Sequence, residues 1–366
     1  MEKNPFKFGS IVEEPYFTNR TEEIQKVKSV LNSENHLIVI SPRRYGKTSL
    51  INKVVKELKR SFILLDLQLI TSAEDFAAQL LKRAYKIFPL EKIKQLIKSF
   101  RIIPSVSINP VTGELDVSFR PSASSSTSAI EDVLNLIEKL SPPNKKIIIV
   151  FDEFQEVKRI DKELDRHLRA FMQHHKNINH VFLGSQESLI RDIFEKKKSP
   201  FYHFGFLFPL SKIPADEFHS YLSTRFQKII PDHETISWSI IQFTGSHPYY
   251  TQQLAFAVWE VLSKNGGVSS VIESAINELI QYHDADYERL WNTLNRTDMK
   301  ILIGMSFTES SPLSENFLRQ YHLGAASTVF SSIKRLLQNG FLVKSEIGYE
   351  LDDPFFKRWI RVKRSK

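Results

Sequence analysis

A chain of 366 residues is long enough for two or three domains of roughly 150 residues each, which excludes a small stapled scaffold. Hydrophobic content of 42% and charged content of 25% exclude a disordered or fibrous chain, and the absence of cysteine excludes disulfides, thiolate nucleophiles and cysteine zinc clusters. With 50 Lys and Arg against 42 Asp and Glu, the formal charge of +8 permits a polyanionic partner without requiring one.

No apolar stretch of signal-peptide length opens the sequence, and no later run approaches the ~18 apolar residues of a membrane span. With the missing cysteines, this points to the cytoplasm and away from a membrane. From His36 onward, short apolar runs alternate with amphipathic stretches: Leu37–Ile40, Phe62–Leu65, Ile147–Phe151 and Val181–Leu183. Short β-branched runs separated by helical spacers predict an α/β domain with a parallel sheet covered on both faces, occupying residues 1–210. Ser105 to Phe119 alternates residue by residue around Asn109–Gly113, which predicts a β-hairpin at about 104–120, inserted into the sheet's edge. The Ser-rich stretch from Ser122 to Ser128 reads as a connector or helix lead-in. After Pro209, helical periodicity punctuated by Pro214, Pro231, Gly245 and Pro248 predicts a small helical domain over 211–290. Residues 291–366 then offer helical patterns at Asp298–Phe307, Ser314–Tyr321 and Ala325–Asn339, followed by strands at Phe341–Ser345 and Tyr349–Leu351 turning at Ile347–Gly348. That is the outline of a winged helix-turn-helix.

The chemistry is concentrated where the first strand runs into Gly46-Lys47-Thr48 and an amphipathic helix, the context a P-loop requires. Main-chain N–H groups and the helix N-terminus can surround phosphates there, with Lys47 placing a cation on the β and γ oxygens and Thr48 offering a hydroxyl to Mg²⁺. Gly46 permits close approach of the backbone. The usual first glycine of such a loop is replaced by Ser41, followed by Pro42; if that position demanded a positive φ, Ser41 would carry ~1 kcal/mol of strain. Asp152 and Glu153 follow the most hydrophobic run in the chain, at the carboxyl end of a strand where ligands gather. Asp152 is expected to hold the Mg²⁺ shell and Glu153 to polarise the water that attacks the γ-phosphate. Val181–Gly184 ends in Ser185, whose hydroxyl either touches the γ-phosphate region or caps the next helix.

In order, these features resemble the archaeal-type ATPase family of the AAA+/STAND P-loop superfamily. The resemblance rests on Phe17-Thr18-Asn19-Arg20 with Glu22-Glu23, on Ser41 to Leu50, on Asp152-Glu153-Phe154-Gln155, on Gly184-Ser185 with Ser188-Leu189, on Ser199-Pro200-Phe201-Tyr202, on Gly245-Ser246-His247-Pro248-Tyr249-Tyr250 and on Leu351 to Trp359. It implies an α/β P-loop NTPase core of AAA+ type with a helical lid and a C-terminal winged helix. It also implies an ATP site, with Mg²⁺, formed by the loop residues Ser41, Pro42, Arg43, Arg44, Tyr45, Gly46, Lys47, Thr48 and Ser49. By the same resemblance the box carrying Arg20 packs near the adenine, and His247 and Pro248 touch the nucleotide; the alternative for the latter pair is a plain helix start. Arg43 and Arg44 contact nucleotide or a neighbouring subunit in one reading and face solvent in the other. Where relatives carry an Arg after the S-P-F-Y motif, this chain has His203-Phe204-Gly205-Phe206, so an arginine finger is not expected from that segment.

The last thirteen residues carry six cations and no acid, beside the winged helix, where phosphate contacts would be useful. The recognition-helix segment holds only Lys334 and Arg335 as cations, so double-stranded DNA and protein are both candidate partners. The sequence therefore predicts an ATPase, binding ATP and ADP, that acts as a nucleotide-dependent switch coupled to a partner-binding winged helix and is compatible with a homo-oligomer. The alternative is a DNA-binding regulator in which ATP is a ligand without significant turnover.

Overall fold

The structure, a computed structural model, describes residues 3–33, 35–109, 111, 113–120, 127–265, 271–345 and 348–364. Most of the Ser-rich stretch, part of the hairpin turn and the wing residue Ile347 therefore lie outside the described residues. The strands are β1 (Leu37–Ile40), β2 (Phe62–Asp66), β3 (Ser105–Ile108), β4 (Leu115–Ser118), β5 (Ile147–Asp152), β6 (Ile178–Gly184), β7 (Phe206–Pro209), β8 (Leu342–Ser345) and β9 (Gly348–Leu351). Packing divides the chain into two compact units.

One unit holds residues 21–41 and 47–210. Its five-stranded sheet has the order β2-β5-β6-β1-β7, and every pair is parallel. The three central strands are buried along nearly their whole length, which is why they read as unbroken apolar runs. β7 was not expected: Gly205 and Pro209 make the segment look like a loop, yet it pairs with β1 from Leu37↔Phe206 to Ile40↔Pro209. A proline is tolerated there because β7 is an edge strand and Pro209 is its last residue. The hairpin forms, with Val106 opposite Val117 and Ile108 opposite Leu115, but as a separate two-stranded sheet rather than an addition to the main sheet's edge. Its Val117 joins the core that also buries Phe76, Ala77 and Leu80 of helix Ala73–Ala84. Below the sheet, Phe154, Phe182, Phe194 and Phe201 pack ring against ring at 4.6 to 5.6 Å between centroids.

The other unit holds residues 1–20, 42–46 and 211–366. Helices Ala215–Phe226, His233–Thr244, Pro248–Asn265, Val271–Tyr282 and Asp284–Asn292 are followed by Arg296–Phe307, Glu315–Gln320 and Ala326–Gln338, then by the antiparallel β8–β9 wing. Local chemistry sets several boundaries: Asn295 and Ser314 accept from the backbone N–H groups of Asp298 and Phe317, capping their helices. A last helix, Pro354–Lys363, begins with Asp353 accepting from Phe355 N and Phe356 N and with Pro at its first position. Its Phe355, Phe356, Trp359 and Ile360 sit in the same core as Trp259, Tyr287 and Trp291. Phe6, near the start of the chain, enters that core against Tyr221, Phe226 and Trp259.

At the amino ends of β1 and β6, His36, His175 and His180 cluster. The His180 backbone N–H donates to His36 Nδ1 at 3.2 Å, and His175 Nδ1 lies 3.0 Å from His180 Nε2. Burial, reinforced by the charges of Arg169 and Lys146, pulls His36 down to about 4; burial, with its imidazole neighbours, pulls His175 to about 4 and His180 well below its usual range. The folded protein thus keeps these rings neutral while the unfolded chain protonates them near 6.5. Stability conferred by this difference is complete above pH 6.5 and is lost as pH falls toward 4, by on the order of a few kcal/mol. Thermal unfolding followed between pH 7.5 and 4 should show Tm dropping through that window, and His175→Gln should flatten the slope; a Tm that ignores pH there contradicts this account.

Candidate functional site

In the sheet unit, parallel register brings three strand ends to one level. Ile40 pairs with Gly184 and Phe151 with Phe182, so Ser41, Glu153 and Ser185 each follow the carboxyl end of adjacent or near-adjacent strands, with β6 between β1 and β5. Helix Lys47–Glu57 starts immediately after the loop. Lys47 is buried, and its Nζ donates to Ser41 O at 2.9 Å. Thr48 Oγ1 donates to Asp152 Oδ2 at 2.7 Å. Asp152 closes β5, where burial pushes its carboxyl above the ordinary range and the neighbouring Glu153 pushes the same way, against the Thr48 hydrogen bond and the Lys47 charge. Glu153 adopts a left-handed backbone, φ 52°, the kind of strain found at functional sites. Ser185 Oγ donates to Glu153 Oε2 at 2.5 Å. Helix Glu187–Phe194, which follows, has no side-chain cap, so the hydroxyl faces the carboxylate and not the helix end. Gln155, which the sequence placed only in a motif, donates its Nε2 to the same Glu153 oxygen. The turn Phe154–Glu156 makes that contact, and the pairing of β5 with β6 brings Ser185 to the same oxygen.

In the helical unit, the loop crest Pro42–Gly46 has left-handed residues at Arg44 (φ 65°) and Gly46 (φ 88°). Ser41 is not among the positive-φ residues, so the missing first glycine leaves no strain. Arg20 is buried and donates through Nη2 to Tyr45 O at 3.0 Å and Ser211 O at 3.1 Å; here it holds the loop crest. Arg43 is exposed. Arg44 lies over the Tyr249 ring at 4.6 Å and donates to Tyr250 Oη at 3.2 Å, a partnership that the sequence pattern did not disclose. Tyr45 meets His247 edge-on at 4.8 Å. His247 is 1% exposed, its Nδ1 accepting from Tyr249 N at 3.2 Å, and Pro248 opens the helix. Because Nδ1 accepts, the ring proton is on Nε2, which faces Asp352 Oδ1 at 3.5 Å. Ser49 is partly buried beside Thr48 in the first turn of its helix.

The winged helix departs from the expectation of a basic face. Arg358 pairs with Glu273 at 3.2 Å, Lys363 with Asp284 at 3.5 Å and Arg364 with Glu288, while Arg361 donates to Ser306 O. The basic C-terminal segment is therefore a packed helix, with three of its cations paired with carboxylates of its own unit. On helix Ala326–Gln338, Arg335 grips Asp298 through two hydrogen bonds of 2.7 and 3.0 Å. Its exposed face presents Ser327, Thr328, Ser331 and Lys334 around Phe330, which is 55% exposed.

Among the described residues no group of three or more His, Asp or Glu is placed to hold a metal ion, and no helix is long and apolar enough to cross a membrane. A hydroxyl and one carboxylate, Thr48 and Asp152, do lie together, which suits a cation that keeps several waters and takes its remaining ligands from phosphate oxygens, as Mg²⁺ does.

The parallel sheet, with its strand–loop–helix carrying Gly46-Lys47-Thr48 and an acidic pair ending a neighbouring strand, defines a P-loop ATPase fold. The family profile described as "ATPase domain predominantly from Archaea" matches residues 17–254, and the chain belongs to that family. A second profile, "Probable winged helix domain", matches residues 285–362. Among solved structures, the fold is similar to that of the Walker-type ATPase of Pyrococcus abyssi, with 18% identity, a TM-score of 0.70, and coverage of 98% of this chain and 99% of that one. It is also similar to the Aeropyrum pernix ORC2 protein in its ADP form, with 12% identity, a TM-score of 0.53, and coverage of 99% and 100%. The ADPNP-ADP complexes of that protein give 13% identity and a TM-score of 0.51 over 100% of this chain and 99% of that one. No curated protein matches the sequence.

Arg20→Met would leave the carbonyls of Tyr45 and Ser211 without this donor. Loss of charge-assisted bonds in a buried setting should lower stability by about 1–3 kcal/mol, read from denaturant unfolding. No change in the midpoint would show that Arg20 is not holding the loop.

Proposed function

We propose that the protein hydrolyses ATP with Mg²⁺, the loop from Ser41 to Gly46 receiving the phosphates. The observation that carries this reading is the convergence of Lys47, Thr48, Asp152, Glu153 and Ser185 at one level of the sheet, with Thr48 and Asp152 already joined. Loop amides of Pro42 to Gly46 and of Thr48 and Ser49 would cradle the phosphates, and Lys47 would exchange Ser41 O for a phosphate oxygen. Thr48 and Asp152 would hold the metal, which when bound neutralises charge on the phosphate oxygens. Glu153 would accept the proton of the attacking water, and Ser185, on the same carboxylate, would keep it oriented. Arg20, His247 and Pro248 enter as supports of Tyr45 and the loop crest. The division into a core over 1–210, a lid over 211–290 and a winged helix over 291–366 is the organisation in which we read a nucleotide-dependent switch.

For the partner, the ion pairs that engage Arg358, Lys363 and Arg364 and an aromatic-centred face of Ala326–Gln338 with Lys334 as its one exposed cation favour a protein over duplex DNA. Direct comparison of variants tests the catalytic reading: Lys47→Ala should lose both ATP binding and turnover, whereas Glu153→Gln should keep binding and lose turnover by about 10²-fold or more. Glu153→Gln turning over like the parent would leave the alternative, a regulator that only binds nucleotide. The partner reading is checked by titrating duplex DNA against the full chain at several salt concentrations. Weak binding with a shallow salt slope, unaffected by Lys334→Glu, is expected; a steep slope lost in that variant would restore DNA.

A further inference from the structure

Two protein donors converge on a single oxygen of Glu153. Ser185 Oγ reaches Oε2 at 2.5 Å, and Gln155 Nε2 donates to the same atom while lying 3.5 Å from Ser185 Oγ. The amide must present its nitrogen, because the reverse orientation would set a carbonyl against a carboxylate. Local backbone makes the approach possible. The left-handed Glu153 opens a tight turn, Phe154–Glu156, closed by Glu156 N donating to Glu153 O at 3.0 Å, and fully buried Phe154 anchors it among Phe182, Phe194 and Phe201.

Packing alone does not account for an amide here. Gln155 is 7% exposed, and its Oε1 is buried without a hydrogen-bond partner, a penalty that a Leu or Met of similar size would avoid. Gly184 lies beside Oε1: a Cβ there would run into Ile190 Cγ1 at 2.0 Å and would also stand close to Oε1, at 3.0 Å. The chain therefore tolerates an unpaired carbonyl in order to aim Nε2 at Glu153.

We propose that Gln155 is a positioning residue for hydrolysis: with Ser185 it pins Glu153 Oε2, which sets the direction in which Oε1 meets the attacking water. This rests on the assignment of Glu153 as the base. Removing one orienting partner should lower kcat about 10- to 100-fold, the scale on which removing an outer partner disturbs an active-site ligand.

The test is turnover of Mg-ATP by the full chain, with nucleotide affinity and Tm measured alongside. Gln155→Met should fold, bind nucleotide within about 2-fold of the parent and lose kcat by about 10-fold or more, with KM little changed. Gln155→Asn, which keeps the amide on a shorter arm, should fall between, and it stands in if the Met variant is unstable. The readout that separates positioning from structure is the pair of variants combined with Glu153→Gln: acting through Glu153, Gln155→Met adds no further loss there. The same fold-loss in both backgrounds, or a Gln155→Met kcat within 2-fold of the parent while Glu153→Gln is slow, overturns the inference and leaves the base assignment standing. Glu153→Gln as fast as the parent removes the base assignment and this inference with it.

Discussion

A carboxylate that ends a fully buried strand has to be matched, and much of the sheet unit is arranged around that requirement. Asp152 is the last residue of β5, five buried apolar residues precede it, and burial disfavours its ionised form. Thr48 answers it across the sheet with a hydroxyl at 2.7 Å, which in turn fixes where helix Lys47–Glu57 begins. Lys47, one residue earlier, donates to Ser41 O, and its charge acts on Asp152. A cation arriving with polyphosphate would find the acid, the hydroxyl and the ammonium within one turn of helix and one strand end, each with a partner it can exchange.

The helical unit handles the loop crest in a different physical manner. Here the interactions are cation–aromatic and carbonyl–guanidinium: Arg44 over Tyr249 and bonded to Tyr250, Arg20 on Tyr45 O and Ser211 O, and Tyr45 edge-on to His247. His247 also faces Asp352, which directly precedes the cap of the last helix, and Lys212 bonds Glu350 of β9 at 2.7 Å. Within this unit the loop crest, the helix opened by Pro248 and the wing are consequently joined by a short series of polar and aromatic contacts, the sort of arrangement through which a change at one end can bias the other.

The five central features of the site were legible because each is a short-range pattern: a strand, a glycine, a lysine and a hydroxyl in sequence, and two acids after an apolar run. What escaped was the long-range part. Ser185 is thirty-two residues from Glu153, and only the β5–β6 pairing brings it there, while the approach of Gln155 depends on the left-handed backbone of Glu153, which the residue type does not announce. β7 was hidden by Gly205 and Pro209, residues that punctuate loops but that an edge strand accepts. The final helix was obscured by charge: the six cations of the last thirteen residues drew attention to phosphate, whereas Phe355, Phe356, Trp359 and Ile360 recur at helical spacing and mark a buried face. Arg335 was counted among the cations of the recognition-helix segment because its partner Asp298 lies thirty-seven residues earlier, on the neighbouring helix.

That final helix also constrains how the protein can be cut. Its aromatic face fills the same interior as Tyr287, Trp291 and Leu302, and its Asp353 cap accepts from Tyr287 Oη at 3.2 Å as well as from its own backbone. Trimming the chain after Asp353 would empty four large side chains from that interior, with losses of the order of 3–5 kcal/mol for a single buried aromatic. A shortened protein that no longer engages a partner would thus be reporting collapse of its own helical body, so charge reversals that leave Trp359 in place are the sounder way to dissect this end of the molecule.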